Sequence, residues 1–323
     1  MPRPDVPDLV ERARRGEARA VARLISLVES GADSDAGAAD LRAVAAALAP
    51  HAGRAHVVGL TGPPGVGKST STSVLVGALR ARGRRVGVLA VDPSSPFSGG
   101  ALLGDRVRMG EHATDDGVFI RSMATRGHLG GLAWATPQAL RVLDAAGCDV
   151  VLVETVGVGQ SEIEVVALAD TTVVLLAPGM GDGVQAAKAG ILEIADVFVV
   201  NKADRDGAAQ TVRDLRHMMS LDGGDGGCGW QRPVVPTVAA RGEGVDELVA
   251  ALDAHREWMD AGGERTRRRL ARAEAEIQAI TLERVRARIG DRSGLPRLAE
   301  RVVAGELDPY AAADELAHSV TGR

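Results

Sequence analysis

Two kinds of apolar spacing alternate along this chain. From Asp8 to Ser30 apolar residues recur three and four apart (Leu9, Val10, Ala13; Val21, Leu24, Ile25, Val28), and Ala38 to Ala49 repeats the pattern after a Gly/Asp/Ser linker. That period predicts helices with one buried face, forming an N-terminal helical extension over residues 1–54. From Ala55 the pattern changes to short continuous apolar runs: Val57 to Leu60, Val86 to Val91, Val118 to Ile120, Val150 to Val153, Thr172 to Leu176, Val197 to Val200 and Val234 to Val238. Helical stretches separate them. A strand apolar on both sides needs cover on both sides, so residues 55–260 are expected to form an α/β domain, a mostly parallel central sheet flanked by helices. After Gly262 and Gly263 the chain becomes charged and helical, with an apolar stripe at Leu270, Ala273, Ile277, Ile280, Leu282, Val285 and Ile289. This predicts a helical arm over 261–323, outside the sheet. The run from Asp222 to Gly229 (DGGDGGCG) reads as a surface insertion, and no internal repeat is found.

Composition narrows the class without naming a chemistry. The chain has 323 residues, 45% hydrophobic and 25% charged, enough apolar side chain for a sizeable core. A net charge of -5 gives no footprint for nucleic acid or an anionic membrane. Met1 to Gly16 mixes acids with arginines and lacks an apolar stretch, and no run of apolar residues is long enough to span a bilayer. A cytoplasmic location is expected. Cys148 and Cys228 have no second thiol or histidine at metal-ligand spacing and read as reduced bystanders. One skew is more telling. Of 38 basic residues only three are Lys (Lys68, Lys188 and Lys202), and Asn201 is the sole Asn. Where a bias has removed Lys and Asn, the survivors are expected at sites that Arg or Asp cannot fill.

The run Gly62-Pro63-Pro64-Gly65-Val66-Gly67-Lys68-Ser69 follows a short strand and precedes a helix-compatible stretch from Ser71 to Arg82, the context that a Walker A loop requires. Its glycines let backbone N–H groups converge on phosphate, Lys68 reaches the β- and γ-phosphates, and the Ser69 hydroxyl suits Mg2+, with Thr70 beside it. A second apolar strand ends in Glu154-Thr155-Val156-Gly157, a carboxylate placed to support the metal and a glycine amide placed to sense the γ-phosphate. Asp92 closes the strand Val86 to Val91, where ligands bind in parallel sheets, and Asp105 follows in a loop. Each is a candidate for the metal or the attacking water. Asp105 could equally be a solvated loop carboxylate or a helix cap.

After the strand Val197 to Val200 comes Asn201-Lys202-Ala203-Asp204. An ionised carboxylate only accepts hydrogen bonds, so Asp204 matches the two donors on guanine N1 and N2 and opposes the acceptor on adenine N1. Such pairing can reject the mismatched base by roughly 10⁴-fold. Asn201 can orient the loop and contact the base, and the stem of Lys202 can cover its face. Thr237-Val238-Ala239-Ala240, after the next strand, can offer backbone amides to guanine O6, Ala239 and Ala240 above all. The bound nucleotide is expected to be GTP or GDP.

The separation of Lys68 from Glu154 leaves room for an extra strand between the motifs, as in the SIMIBI class of P-loop proteins. Within that class, Val91 to Gly100 (VDPSSPFSGG), Gly104 to Met109 (GDRVRM), Glu154 to Glu162 (ETVGVGQSE) and Pro178 to Asp182 (PGMGD) resemble the methylmalonyl-CoA mutase-associated GTPases of the MeaB/ArgK family. The resemblance implies that Lys68 and Ser69 bind phosphate and magnesium, that Asp92, Asp105 and Glu154 surround the metal, and that Asn201, Lys202 and Asp204 bind guanine. It implies a GTP-gated chaperone that protects an adenosylcobalamin-dependent acyl-CoA mutase and controls its cofactor loading, with the adenosyltransferase that supplies the cofactor as a further partner. It also makes Gly179 to Lys188 a nucleotide-responsive switch with Asp182, Gln185 and Lys188 as polar members, and the C-terminal helices a homodimerisation arm. Lys188 as a solvated helix charge, and the arm's stripe as packing on its own domain, remain open. Two other classes compete: a metal-insertion GTPase, against which the missing Cys/His ligand cluster counts, and a transport-linked ATPase or kinase, which the guanine tetrad disfavours.

Overall fold

The apolar runs form one sheet of seven strands in the order β3-β2-β4-β1-β5-β6-β7. They are β1 (His56–Thr61), β2 (Val86–Pro93), β3 (Val118–Thr125), β4 (Val150–Thr155), β5 (Thr171–Leu176), β6 (Val197–Asn201) and β7 (Val234–Thr237). Every recorded pair is parallel. In the computed structural model the described residues are 5–31, 35–93, 110–125, 135–155, 167–179, 194–221, 229–292 and 294–321. From β1 the chain builds β2, β3 and β4 to one side, then β5, β6 and β7 to the other. That reversal leaves a crevice at the carboxyl end of β1, where open parallel sheets bind ligands.

Both faces of the sheet are covered, as strands buried on two sides require. One face carries α1 (Val6–Arg14), α2 (Ala18–Ser30), α3 (Asp35–Leu48) and α5 (Ala135–Ala145), whose Val10, Leu24, Val28, Leu48, Ala139 and Leu143 share a core with Leu89, Val91, Val151 and Val153. The other carries α4 (Lys68–Ala81) and α7 (Val245–Ala261), with Leu75, Val76 and Leu248 against Val58, Leu60, Val88 and Val173. Beside β5 and β6, α6 (Ala208–Leu221) adds Val212 and Leu215 to Val174, Phe198 and Val200. The N-terminal helices are therefore part of the sheet's cover. The Asp144 carboxylate on α5 fixes their exit, accepting from the backbone N–H groups of Arg54 and Ala55 at 3.2 and 2.9 Å.

The helical spacing from Asp8 to Ser30 is divided between two helices, α1 and α2. The chain breaks at Gly16, with φ of 84°, and Arg12 spans the break to reach Glu17 at 2.8 Å. The helix after the glycine-rich loop starts at Lys68, three residues earlier than its apolar spacing suggested.

By its contacts the chain forms two units, Met1–Arg265 and Thr266–Arg323. The second holds most of α8 (Glu264–Arg292), then α9 (Leu295–Val303) and α10 (Pro309–Thr321), with Arg301 on α9 reaching Glu315 on α10 at 2.7 Å. Leu270, Ile277 and Leu282 on α8, with Val303 and Tyr310, are exposed. Among the described residues no helix is long and apolar enough to cross a membrane. Cys148 is buried against the sheet, and desolvation pushes its thiol up to about 12, which makes it unreactive.

A buried polar chain closes the amino ends of the strands. His56 Nε2 lies 2.7 Å from Thr171 Oγ1, which lies 2.8 Å from His255 Nδ1 on α7. His255 in turn packs against Trp230 and Trp258, which also touch each other, with Nε2 3.4 Å from Asp196. Burial lowers the His56 pKa from 6.5 to about 4, so the native state holds this ring neutral while the unfolded chain protonates it. The stabilisation is complete above pH 6.5 and is lost as pH falls through 4. Between pH 7 and pH 5 the chain should lose about 2 kcal/mol of stability through this group. Denaturant titrations at the two pH values should show that loss reduced in His56→Gln. A loss of the same size in the variant would contradict the assignment.

Candidate functional site

The carboxyl end of β1 runs directly into the loop Gly62 to Gly67. At Gly62 the chain presses on β5: φ is +140°, and a Cβ there would meet the Leu175 carbonyl oxygen at 2.2 Å. At Gly67 φ is +95° and a Cβ would lie 2.5 Å from Asn201 Nδ2. Lys68 then opens α4, and no side chain caps that helix. Its first amides have no intrahelical partners, which with the helix dipole makes the loop an anion site. The Lys68 ammonium is buried within the loop, donating to the carbonyls of Gly62 and Pro63, the latter at 3.1 Å.

β4 supplies the next group. Its register sets Glu154 beside Leu60, at the end of β1, and the Ser69 hydroxyl donates to Glu154 Oε1 at 2.7 Å. The carboxylate is 2% exposed. The Ser69 hydroxyl, one residue beyond the loop lysine, and the buried Glu154 carboxylate are a hard-oxygen pair that fits a magnesium ion. Among the described residues no three His, Cys, Asp or Glu side chains gather into a metal-binding group. Asp92 belongs to β2, whose Val91 pairs with Thr155, so its backbone lies two strands from the loop. The Asp92 side chain and the whole of Asp105, Gly157, Asp182, Gln185 and Lys188 fall outside what the structure describes.

β6 ends on Asn201, which is 3% exposed and spans two loops. Its Nδ2 donates to the Val66 carbonyl at 2.8 Å, while Oδ1 accepts from the Ala239 N–H at 3.0 Å and the Thr237 hydroxyl at 3.2 Å. Lys202 donates to the Gly65 carbonyl at 2.7 Å. Among the described residues it is the non-glycine position with positive φ, at 58°, a conformation that costs about 1 kcal/mol and persists where the surroundings enforce it. The enforcing bonds include Ala203 N–H to Thr237 O at 3.0 Å. Asp204 follows on the exposed side of the loop, with Arg241 Nη2 3.6 Å from its Oδ2. The structure thus gathers Gly62 to Thr70, Glu154, Asn201 to Asp204 and the Thr237 to Arg241 turn. Sequence reasoning missed Arg241 and the bond from the Thr237 hydroxyl to Asn201. Ala239, expected to face a base, gives its N–H to Asn201 in this structure.

Comparison with known proteins identifies this arrangement. The family model described as methylmalonyl Co-A mutase-associated GTPase MeaB matches residues 21–293. The chain belongs to the MeaB family. As a member it is a P-loop GTPase of the SIMIBI class that binds GTP and GDP. A Pyrococcus abyssi relative carrying a GTPase designation is 46% identical over 321 residues, covering 98% of this chain and 97% of that one. The GTPase ArgK of Escherichia coli is 36% identical over 260 residues, 79% of this chain and 77% of that one. The mitochondrial methylmalonic aciduria type A homolog of Mus musculus is 38% identical over 280 residues, 82% of this chain and 66% of that one. Among solved structures, one titled LAO/AO transport system kinase superposes with a TM-score of 0.73 at 28% identity, covering 98% of this chain and 97% of that chain.

The Gly67 contact gives a test specific to this geometry. Gly67→Ala should cost about 1–2 kcal/mol from the left-handed backbone alone, and should weaken GDP binding by displacing Asn201. Denaturant unfolding and titration with fluorescent GDP measure the two effects. Wild-type values in both would show that the Asn201 bridge does not constrain the loop.

Proposed function

We propose that this GTPase reads guanine through Asn201, Lys202 and Asp204, holds the phosphates with Gly62 to Thr70, and times a chaperone cycle for an adenosylcobalamin-dependent acyl-CoA mutase. The reading rests on one observation above all: the Asn201 side chain ties the base-reading loop to the phosphate loop, so one nucleotide can meet both. In this reading Lys68 contacts the β- and γ-phosphates, and Ala240, with Ala239, lies along guanine O6. Ser69 and Glu154, with Asp92 and Asp105, hold magnesium, which when bound supplies charge to the phosphate oxygens. Asp92 or Asp105 orients the attacking water, and Gly157 senses the γ-phosphate. Asp182, Gln185 and Lys188 carry the nucleotide state to the partner.

The mutase enters through the family, which is associated with methylmalonyl-CoA mutase by its description. Hydrolysis then acts as a signal that gates cofactor loading and protects the mutase, with the supplying adenosyltransferase as a second contact, in the cytoplasm. By role the chain divides into the extension 1–54, the GTPase domain 55–260 and the arm 261–323. The exposed Leu270, Ile277 and Leu282 suit the arm to homodimerisation. A transport-linked kinase is the second reading, since one solved relative carries that title; it requires transfer of the γ-phosphate to an acceptor, where the first releases it as inorganic phosphate.

Two experiments test the proposal. In competition titrations GTP should displace a fluorescent guanine nucleotide at least about 10³-fold better than ATP, and Lys68→Ala should weaken triphosphate binding. Equal competition by the two nucleotides, or an unaffected variant, would overturn the site assignment. Affinity capture under GDP and a non-hydrolysable GTP analogue should retain an acyl-CoA mutase in a nucleotide-dependent way. Failure to retain it under either nucleotide would remove the chaperone role and leave the GTPase standing.

A further inference from the structure

We infer that Arg241 is a positioning residue for base recognition, holding the Asp204 carboxylate in the orientation that reads guanine. The inference rests on the reading of Asp204 given above. That reading asks both carboxylate oxygens to lie in the plane of the base, facing two N–H donors. Asp204 is about two-fifths exposed and sits on the loop that opens with the strained Lys202, a poor place to fix a side chain without help. The turn after β7 is the element beside it, and its Val238, Ala239 and Ala240 carry no side-chain donor. Arg241 is the residue of that turn that reaches Asp204.

Arg241 is itself held. Its Nε lies 2.8 Å from Glu243 Oε1, and Nη2 lies 3.5 Å from Glu243 Oε2. Glu243 is bound by its backbone to Val238, donating at 3.3 Å and accepting at 3.0 Å, with Gly242 in the left-handed conformation closing the turn at φ of 72°. The same turn gives the Ala239 N–H to Asn201. Glu243, Arg241 and Asp204 therefore form a chain of alternating charge rooted in the turn that orients Asn201. At 3.6 Å Arg241 attracts Asp204 Oδ2 without a short hydrogen bond, and a carboxylate oxygen has a second lone pair for the base. The planar fork of Arg grips Glu243 and still faces Asp204, which a single ammonium cannot do in the same way.

The test compares GDP with IDP, which lacks the exocyclic amine on C2. Wild-type protein should prefer GDP, and Arg241→Ala should reduce the GDP-to-IDP affinity ratio about threefold, the size expected of an exposed ion pair. IDP affinity itself should change little. Glu243→Gln should shift the ratio in the same direction, and Arg241→Lys should restore part of it. Raising the salt concentration should lower the ratio in wild type and leave Arg241→Ala unmoved. An unchanged ratio in Arg241→Ala, or equal loss for both nucleotides, overturns the inference while leaving Asp204 as the guanine reader. A wild-type protein that binds GDP and IDP alike overturns both.

Discussion

The Asn201 side chain holds the Gly62 to Gly67 loop, the Asn201 to Asp204 loop and the turn after β7 in one arrangement. Its amide offers a donor to Val66 and an acceptor to Ala239 and Thr237. An Asp here would turn a second acceptor towards the Val66 carbonyl, and an Ala would leave a carbonyl, an amide and a hydroxyl without their partner. Each such buried group costs about 1–3 kcal/mol. The contact also dictates a residue elsewhere. Any side chain at position 67 would enter the space of Asn201 Nδ2, so the last glycine of the loop answers to the end of β6 as well as to its own left-handed backbone.

That bridge depends on strands whose ends are set by burial. β1, β5 and β6 are neighbours, and their middle residues are buried on both faces. The polar side chains at their two ends serve different purposes. At the amino ends His56, Thr171, His255 and Asp196 lie against one another under two tryptophan rings, a closed polar chain held by packing. At the carboxyl ends Lys68, Asn201 and Lys202 bind loop backbone. Loop carbonyls are partners that a loop can keep while its amides face a ligand. The rigid rim and the ligand-facing rim thus belong to one sheet.

Strand identity was legible because a continuous apolar run between helices has few other solutions. Helix ends were less so. Spacing cannot register a phase change within one turn, so Gly16 split α1 from α2 unseen, and polar Lys68 and Ser69 concealed the true start of α4. Gly62 to Ser69, Glu154 and Asn201 to Asp204, which the structure brings together, could be named from their spacing from strand ends. Arg241 could not, nor could the tie of the Thr237 hydroxyl to Asn201. Their meeting with Asn201 and Asp204 follows from the β6–β7 register, which pairs Asn201 with Thr237, and no one-dimensional pattern contains that pairing. The acids Asp92 and Asp105 and the Asp182 to Lys188 segment remain readings from sequence, since the described side chains do not include them.

The compositional skew acquires a physical reason from these contacts. A chain that carries Arg at nearly every basic position keeps Lys68 and Lys202 on the carbonyls of the Gly62 to Gly67 loop. Lys68 places a compact ammonium between two loop carbonyls in buried space, where a planar guanidinium with five N–H groups would need more room and more acceptors. Lys202 reaches a single carbonyl, Gly65, from a backbone already forced to positive φ. Lys68 has little volume around it and Lys202 a single carbonyl to reach, and a point charge on a thin stem satisfies each. By the same reasoning Arg241, on the exposed rim with two carboxylates to face at once, is a site where the fork is the better shape. Residue choice along this rim of the sheet therefore follows the number and direction of acceptors at each position, and charge alone does not decide it.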